Sequence, residues 1–243
     1  MPRTTTEVLD PPPATLPPVP HRLPDYLERT YHWAYLRPRS VRWLDRPAVV
    51  SAILWGNACR LMRAAVDEFE PGQQVLQAAC VYGDFSPMLA ERVGPEGRLL
   101  VLDAAPIQLD NLRAKTRHLP QVQGRCADLA APALGIAPGS LDAVACFFLL
   151  HEVPPEARRQ IVDNLLSLVR VGGKVVITDY HRPARWHPLR PVMAAVFRWL
   201  EPFANGLLDE DLTTLSAQAP AFTWSKRTVF GGLYQQVVAV RHH

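Results

Sequence analysis

The sequence predicts an α/β fold, in which a mostly parallel sheet of seven strands is covered by helices on both faces. Two observations support this prediction. Between residues 71 and 180, five short apolar runs alternate with segments that have the periodicity of helices. Nearer the C-terminus, two further runs at 222–229 and 233–240 flank Gly231-Gly232, which indicates an antiparallel hairpin that completes the sheet.

Two segments precede the predicted sheet. Residues 1–24 are rich in proline, and we expect a disordered tail because proline cannot join a helix interior or a strand ladder. They lack the basic start and the continuous apolar stretch of a secretory signal peptide. Residues 25–70 predict a helical extension, which Pro38 and Pro47 divide into pieces.

Residues 71–243 are expected to form the sheet domain. We expect the helix before the fifth strand to end at Val171-Gly172-Gly173, since glycine suits a left-handed helix stop. A helical insertion at 184–218 then precedes the hairpin. No stretch reaches about 18 apolar residues without a charge, so no transmembrane helix is predicted. The predicted strands are 74–79, 98–103, 122–125, 141–149 and 174–178, and the helices between them are 86–93, 106–117 and 155–170.

Composition narrows the classes of function. The 243 residues include 26 basic and 23 acidic side chains, and the net charge of +3 is too small to indicate a nucleic-acid partner without a clustered basic patch. The four cysteines lack the spacing of zinc ligands, and we interpret them as free thiols in a reducing compartment.

Acidic residues follow two predicted strands at the edge where a parallel sheet binds its ligand. Asp103 ends the second strand, and a carboxylate there can accept hydrogen bonds from both hydroxyls of a ribose. Asp128 follows the third strand and can pair with an adenine amino group. The alternative for each acid is a cap of the following helix or turn.

The order of these motifs resembles the class I methyltransferase family over about residues 71–182. The resemblance rests on the first strand and its loop, the acids after the second and third strands, Leu141-Asp142, and Gly172-Gly173-Lys174. It implies a Rossmann-like domain that binds S-adenosylmethionine. The cofactor-binding residues that it implies are Gln77, Ala79, Gly83, Asp103, Ala104, Asp128, Leu129 and Phe147.

The first loop departs from the pattern of that family. Gln77 stands where the family has an acid, and the three glycine positions hold Ala79, Val81 and Gly83. A β-branched valine is unlikely to adopt positive φ, so we expect the loop to run differently. An amide also stabilises the ammonium group of the cofactor less well than a carboxylate. Two interpretations follow: the site no longer binds the cofactor, or it is rebuilt to handle the amino group differently.

A more specific resemblance extends over about residues 24–208. The chain resembles the RquA family of rhodoquinone-biosynthesis proteins in the stretches Pro24–Leu27, Tyr31–Tyr35, Ile53–Asn57, Cys80–Phe85, Phe147–Glu152 and Thr178–Pro183. The resemblance implies a transferase that converts ubiquinone to rhodoquinone by replacing a ring methoxy group with an amino group. It implies that S-adenosylmethionine supplies the nitrogen and that a divalent metal, manganese, assists.

Residues from three strand ends are candidates for the chemistry of that reaction. The predicted catalytic residues are Tyr82, Asp84, His151, Tyr180 and His181, and the predicted metal ligands are His151, Glu152, Asp179 and His181. Mixed oxygen and imidazole ligands suit manganese. Helix capping is the alternative for His151-Glu152, and packing is the alternative for Asp179-Tyr180-His181. Tyr82 is expected either to stack on the quinone or to fill the core.

Two segments combine arginine with tryptophan and aliphatic residues, namely 26–69 and 184–208. This composition suits helices that lie in a bilayer interface, or alternatively an amphipathic lid over the active site. We therefore expect ubiquinone and a membrane surface as partners, no nucleic acid, and a cytoplasmic protein on the inner face of a bacterial cell membrane. Two other functions stay open: an ordinary methyltransferase for a quinone or phenol, and a non-catalytic protein that binds a quinone or a partner enzyme.

Overall fold

The computed structural model describes residues 23–243, and seven strands form one sheet at its centre. The strands are β1 (Gln74–Ala78), β2 (Arg98–Asp103), β3 (Val122–Cys126), β4 (Leu141–Phe147), β5 (Val169–Tyr180), β6 (Phe222–Val229) and β7 (Tyr234–Arg241). Their order is β3-β2-β1-β4-β5-β7-β6, and β7 runs antiparallel to both of its neighbours. The predicted α/β architecture, with its mostly parallel sheet and closing hairpin, is confirmed.

The two central strands are apolar on both faces because helices cover both sides of the sheet. Val75 and Leu76 of β1 and Ala143 and Val144 of β4 are almost fully buried. β1 pairs with β2 on one side and with β4 on the other, so the strand order reverses at this point. The crevice outside the carboxyl ends of these strands is where open α/β sheets bind ligands.

Helices pack against each face of the sheet. Leu61, Leu89 and Leu109 belong to one apolar core, whereas Ile161 and Leu165 belong to the core on the opposite face. The helices are α1 (Asp25–Arg29), α2 (His32–Tyr35), α3 (Pro38–Leu44), α4 (Pro47–Ile53), α5 (Ala58–Val66), α6 (Phe85–Val93), α7 (Pro106–Thr116), α8 (Pro155–Leu168), α9 (Arg190–Trp199) and α10 (Ala204–Asp209).

The predicted helix stop at Gly172-Gly173 is wrong. α8 already ends at Leu168, and β5 begins at Val169, which pairs with Leu141. The register of β4 and β5 then shifts, because the chain bulges between Val169 and Lys174. Gly172 has φ +78°, and a Cβ on Gly173 would lie 2.8 Å from the Asp142 carbonyl oxygen. The two glycines therefore serve an irregularity in a strand rather than a helix end.

The predicted disordered tail at 1–24 lies outside the described residues, apart from Leu23 and Pro24. Pro38 and Pro47 begin α3 and α4, so the N-terminal segment is divided into pieces at these two residues, as the sequence predicted. None of the described helices is by itself long and apolar enough to cross a membrane, although α4 and α5 together meet the length and composition across a bend of 95°.

Candidate active site

Two adjoining cavities lie at the carboxyl ends of β1, β2, β4 and β5. They enclose about 560 Å³ and about 710 Å³ of space, with the open solvent at their mouths included. Tyr31, Tyr35 and Glu152 line both cavities. We call the cavity beside Asp103 the first cavity and the cavity beside His151 the second cavity.

Asp103 lines the first cavity, at the end of β2. Its Oδ2 accepts a hydrogen bond from the Cys80 backbone N–H and its Oδ1 accepts one from the Ala105 backbone N–H, both at 2.7 Å. This carboxylate therefore fixes the loop after β1 against the loop after β2. Ala104 and Leu129 line the cavity beside it.

Asp128 also lines the first cavity, after β3. Its Oδ1 accepts a hydrogen bond from the Ala130 backbone N–H at 2.9 Å, which closes a turn of the kind proposed as the alternative for this residue. The Asp128 side chain thus lines the cavity and caps a turn as well. Its pairing with an adenine amino group stays a prediction.

The loop after β1 has positive φ at two of the three positions where the family pattern has glycine. Ala79 has φ +66° and Gly83 has φ +79°, whereas Val81 is not among the described residues with positive φ. The expectation for Val81 agrees with the structure, but Ala79 adopts the left-handed conformation without being glycine. Such a conformation costs roughly 1–2 kcal/mol for a residue that has a Cβ.

Side chains that the sequence analysis did not single out hold this loop. Lys115 Nζ donates to the carbonyl oxygens of Gly83 at 2.8 Å and Val81 at 3.2 Å, and to Asp45 Oδ1 at 2.8 Å. Asp45 in turn accepts a hydrogen bond from the Gly83 backbone N–H at 2.8 Å. Lys115 on α7 and Asp45 after α3 belong to no sequence motif, because their contacts with this loop form only when the chain folds.

Gln77 lies fully buried in β1, directly beneath this loop. Its Nε2 donates to the Ala79 carbonyl oxygen at 2.8 Å and to Ser86 Oγ at 2.9 Å. Its Oε1 has no hydrogen-bond partner among residues 23–243. A buried acceptor without a partner is costly. Gln77 itself lines neither cavity, and it adjoins the first cavity through Ala79.

His151 and Asp179 form a buried pair in the wall of the second cavity. Asp179 Oδ1 lies 2.7 Å from His151 Nδ1. Its Oδ2 accepts a hydrogen bond from the Leu150 backbone N–H at 2.8 Å, and the Tyr180 backbone N–H donates to Oδ1 at 2.7 Å. Asp179 therefore orients the imidazole, and His151 Nε2 lies 3.7 Å from Glu152 Oε1.

Glu201, after α9, completes this polar cluster. One ligand atom from each of His151, Glu152 and Glu201 lies within 4.8 Å of the others. Two tyrosines of the N-terminal helices bond to the acids: the Tyr35 hydroxyl donates to Glu152, and the Tyr31 hydroxyl donates to Glu201 Oε2 at 2.8 Å.

Burial and the charges nearby shift the pKa of each residue in the cluster. Desolvation, reinforced by Glu201, raises the pKa of Glu152 to about 8, and desolvation also raises the pKa of Glu201. Burial lowers the pKa of His151, but Asp179 and the two glutamates outweigh it and raise that pKa to about 9. The cluster therefore favours bound positive charge, whether as protons or as a cation.

The cluster fits a divalent cation through the chemistry of its donors. One imidazole nitrogen and two carboxylates are the mixed ligand set that manganese and related metals accept. Asp179 behind His151 is the outer partner that commonly orients a metal-binding histidine. The manganese stays a prediction.

Two of the four predicted metal ligands are not in this group. Asp179 already receives backbone N–H groups and the His151 ring, and His181 Nδ1 bonds to the Gly232 carbonyl oxygen at 2.8 Å, which ties β5 to the hairpin. Glu201 was missed because it lies in the insertion, about 20 residues beyond the strand end. The available signal was an acid within the otherwise apolar stretch 199–203.

Of the other predicted catalytic residues, two line the second cavity and one is exposed at the protein surface. Tyr180 lines the second cavity, with its ring 4.8 Å from that of His151. Tyr82 lines it too and stacks on Tyr35 at 5.4 Å. Asp84 is exposed, lines neither cavity and precedes α6, so its proposed place among converging acids is wrong.

Phe147 was predicted to contact the cofactor, but it lines the second cavity and not the first. It stacks on Phe85 of α6 at 4.3 Å. The next residue, Phe148, has φ +52° and also lines the second cavity. Strained backbone of this kind is often found at functional sites.

The strand order, the acid at the end of β2 and the cavity at the β1/β4 switch point together define the class I methyltransferase fold. The family model described as a methyltransferase domain matches residues 75–173. The chain thus has the class I methyltransferase fold that the first resemblance implied, and its residues 75–173 are similar to methyltransferase domains. The resemblance to the RquA family stays a prediction.

Several proteins of known sequence are similar to the chain. An uncharacterized methyltransferase of Synechocystis sp. is 27% identical over 212 residues, which cover 86% of this chain and 94% of that protein. A 2-phytyl-1,4-naphtoquinone methyltransferase of Thermosynechococcus vestitus is 32% identical, covering 49% of this chain and 52% of its own. A demethylmenaquinone methyltransferase of Listeria monocytogenes is 28% identical, covering 55% of each chain. The chain therefore spans about half the length of these two quinone methyltransferases.

Solved structures share the fold at low sequence identity. A SAM-dependent methyltransferase from Aquifex aeolicus superposes with a TM-score of 0.57 at 17% identity, covering 84% of this chain and 97% of that one. The N-methyltransferase NodS from Bradyrhizobium japonicum, in complex with S-adenosyl-L-homocysteine, gives 0.57 at 13% identity, covering 90% and 100%.

Proposed function

We propose that this protein is an S-adenosylmethionine-dependent enzyme that acts on a lipid quinone, and that it converts ubiquinone to rhodoquinone. A ring methoxy group would be replaced by an amino group whose nitrogen comes from S-adenosylmethionine. The observation that carries this proposal is Gln77, a buried amide at the position where class I methyltransferases normally have an acid.

The quinone substrate is supported by the lining of the second cavity. Tyr35, Tyr82 and Phe148 present flat rings there, and the polar groups are concentrated at His151 and the glutamates. A planar, apolar ring with two carbonyl oxygens matches a cavity of that kind. Two of the similar proteins are by name methyltransferases of a naphthoquinone and of demethylmenaquinone, which supports the same substrate class.

The first cavity suits the adenosine part of S-adenosylmethionine. Asp103 would accept hydrogen bonds from the ribose hydroxyls, and Leu129 and Ile161 would contact the adenine ring. When bound, S-adenosylmethionine would supply the amino nitrogen. Gln77 Oε1, which lacks a partner among the described residues, would accept a hydrogen bond from that amine.

The neutral amide of Gln77 suits an amine that must act as a nucleophile. A carboxylate would hold an ammonium group in its charged form, because an opposite charge nearby favours ionisation. The amide oxygen orients the amine without adding that charge. Gln77 would therefore leave the nitrogen lone pair available for addition to an electron-poor ring.

On the quinone ring, the exchange forms one C–N bond and breaks one C–O bond. The proton that the nitrogen loses leaves with the methoxy group as methanol. Release of the amino group would then break the bond between the nitrogen and the α-carbon of the donor by elimination: the nitrogen gains the proton that the adjacent carbon loses, and the carbon chain leaves as an alkene. The ring carbonyl gains negative charge during the addition, so a positive partner at the cavity wall would stabilise it.

His151, Glu152 and Glu201 would provide that positive partner by holding a divalent metal, which we propose to be manganese. A bound metal would act as a Lewis acid toward the quinone carbonyl. Asp179 would keep the His151 Nε2 atom directed at the cluster, and the Tyr31 and Tyr35 hydroxyls would orient the two carboxylates.

The decisive experiment follows the nitrogen. The purified protein is incubated with ubiquinone, manganese and S-adenosylmethionine labelled with nitrogen-15 on its amine, and the quinone is analysed by liquid chromatography and mass spectrometry. We expect loss of a methoxy group and gain of a labelled amino group. A quinone that gains a methyl group instead would establish the second candidate, a quinone methyltransferase, which the two named relatives favour.

A further inference from the structure

We propose that the mouth of the second cavity is surrounded by a docking surface for an anionic lipid bilayer. We call it the mouth surface. It is made of exposed apolar side chains on α2, α3 and α4 and at the end of α9: Trp33, Trp43, Ile53, Trp55, Trp199 and Leu200.

Large apolar side chains on this surface are open to solvent. Trp199 is 75% exposed, Trp43 55%, Ile53 47% and Trp33 44%. Single exposed apolar residues are ordinary, but a group of tryptophans around one opening marks an interaction site. Tryptophan is also the side chain that concentrates at the boundary between lipid and water.

These side chains line the second cavity or lie close in sequence to residues that line it. Trp33 and Ile53 themselves line the second cavity, as does Glu201, which directly follows Trp199 and Leu200. The Tyr31 hydroxyl bonds to Glu201 at 2.8 Å, which brings the start of α2 against the end of α9. The exposed rim and the buried cavity are therefore continuous.

The positive charge of the same segments indicates a partner that carries negative charge. Residues 32–56 contain the exposed arginines 37, 39, 42 and 46 and one acid, Asp45, which is paired with Lys115 at 2.8 Å. Residues 184–200 contain three arginines and no acid, and the Arg198 guanidinium lies 5.4 Å from the Trp199 ring centroid. Uniform positive charge beside tryptophan is complementary to anionic lipid headgroups.

A bilayer at this position would present a lipid-anchored ring to the second cavity. The quinone head would enter past Trp33 and Ile53 while its isoprenoid tail stays in the hydrocarbon layer. This step rests on the proposed function, because it takes the substrate to be a lipid quinone. The lipid binding itself follows from the exposed side chains and charges.

The test measures binding to vesicles that contain no quinone. The full chain is sedimented with vesicles of phosphatidylcholine and phosphatidylglycerol at low and high salt. We expect binding that weakens in high salt and on pure phosphatidylcholine. The variant R42E/R46E and the variant W199S should each bind more weakly, the charge variant by about tenfold or more, since each basic residue near an anionic surface contributes about 1 kcal/mol.

Arg98→Glu is the matched control, because Arg98 is exposed at the start of β2, at the opposite edge of the sheet. It should bind vesicles as the wild type does. Thermal unfolding followed by circular dichroism checks that each variant is folded. No binding at low salt, or an equal loss in Arg98→Glu, would overturn the proposal. Self-association that Trp199→Ser abolishes, without vesicle binding, would assign the surface to a second protein chain and overturn it too.

Turnover of a short-tailed, water-soluble quinone separates this inference from the proposed function. Amination of the soluble quinone without vesicle binding would refute lipid binding by the mouth surface and would leave the proposed function supported. Vesicle binding without modification of any quinone would support the docking surface and refute the proposed function. If both hold, R42E/R46E should keep its activity on the soluble quinone and lose activity on vesicle-bound ubiquinone.

Discussion

At the scale of single residues, the chemistry of the site depends on one missing charge. Gln77 stands where the class I methyltransferase pattern has an acid, and its amide nitrogen donates to the Ala79 carbonyl oxygen and to Ser86 Oγ. What remains for a ligand is a neutral acceptor. The difference between an amide and a carboxylate is therefore the most direct point at which to test the proposed amination.

Gln77→Glu should slow amino transfer while leaving cofactor binding largely intact. The new carboxylate would raise the pKa of the bound amine, and each unit of increase reduces the neutral fraction about tenfold below that pKa. The rate measured against pH should therefore move to higher pH. Gln121→Glu is the control, because Gln121 bonds to the Ala90 carbonyl oxygen of α6 and not to the loop after β1. Identical pH profiles for wild type and Gln77→Glu would contradict this role.

Ala79→Gly should stabilise the fold. At φ +66° the alanine Cβ is strained, and glycine removes that strain, so we expect the free energy of unfolding to rise by about 1 kcal/mol. Urea denaturation measures the change. Ala78→Gly, one residue earlier in β1, should change stability in the opposite direction because its backbone is ordinary strand. A loss of stability in Ala79→Gly would mean that the alanine methyl group packs favourably enough to offset its strain.

Glu201→Gln should weaken manganese binding, and His181→Asn should not. An amide is a poorer ligand than a carboxylate for a hard cation, and each lost ligand commonly reduces affinity by tenfold or more. Titration calorimetry with manganese alone, without cofactor or quinone, measures the affinity. The pair of variants distinguishes the cluster of His151, Glu152 and Glu201 from the ligand set predicted from sequence. Equal affinities in all three proteins would rule out this cluster as the metal site.

At the scale of elements, tyrosine hydroxyl groups contribute to the attachment of the N-terminal helices to the sheet domain. Tyr35 and Tyr31 donate to Glu152 and Glu201, and burial raises the pKa of both phenols, so they stay protonated donors. Tyr82 adds a third bond, since its hydroxyl donates to the Ala34 carbonyl oxygen at 2.8 Å. Helices of four to seven residues have little stability of their own, so these contacts decide their position.

Tyr35→Phe should loosen these helices. Glu152 is mostly neutral near pH 7 because its pKa is raised to about 8, and a neutral hydrogen bond contributes about 0.5–1.5 kcal/mol, so amide hydrogen exchange at 31–44 should accelerate roughly several-fold. Tyr234→Phe is the matched control, because its buried hydroxyl has no partner among the described residues. It should leave exchange in these helices unchanged. Equal exchange in wild type and Tyr35→Phe would mean that packing alone holds the helices.

The elements of the sheet were predictable because their signals are local. Apolar runs bounded by glycine and proline located the strands to within a few residues, and Asp103 was found because a strand end fixes its position. Gly172 misled because a glycine in a strand bulge and one at a helix stop look alike in sequence. Glu201 and Lys115 were missed because each meets the site through folding, from an element that carries no motif.

At the scale of the whole molecule, cofactor binding should stabilise the native state. A ligand that binds only the folded chain, at 100 times its dissociation constant, contributes about 2.7 kcal/mol. For a domain of this size that shifts the melting temperature by roughly 5–10 °C. S-adenosylhomocysteine should give such a shift in a thermal melt.

Asp103→Ala should lose most of that shift while remaining folded, because it removes charge-assisted hydrogen bonds to the ribose that contribute about 2–4 kcal/mol. Asp110→Ala, on the exposed face of α7, is the control and should keep the full shift. An undiminished shift in Asp103→Ala would place the ribose elsewhere.

The wall that the two cavities share links their occupants. Tyr31, Tyr35 and Glu152 line both cavities, so a ligand that displaces this wall from one side alters the shape of the other side. Linkage between two sites is reciprocal: the factor by which a ligand in the first cavity changes affinity in the second equals the factor in the reverse direction. Order of addition then affects the rate of filling but leaves the final doubly occupied population the same.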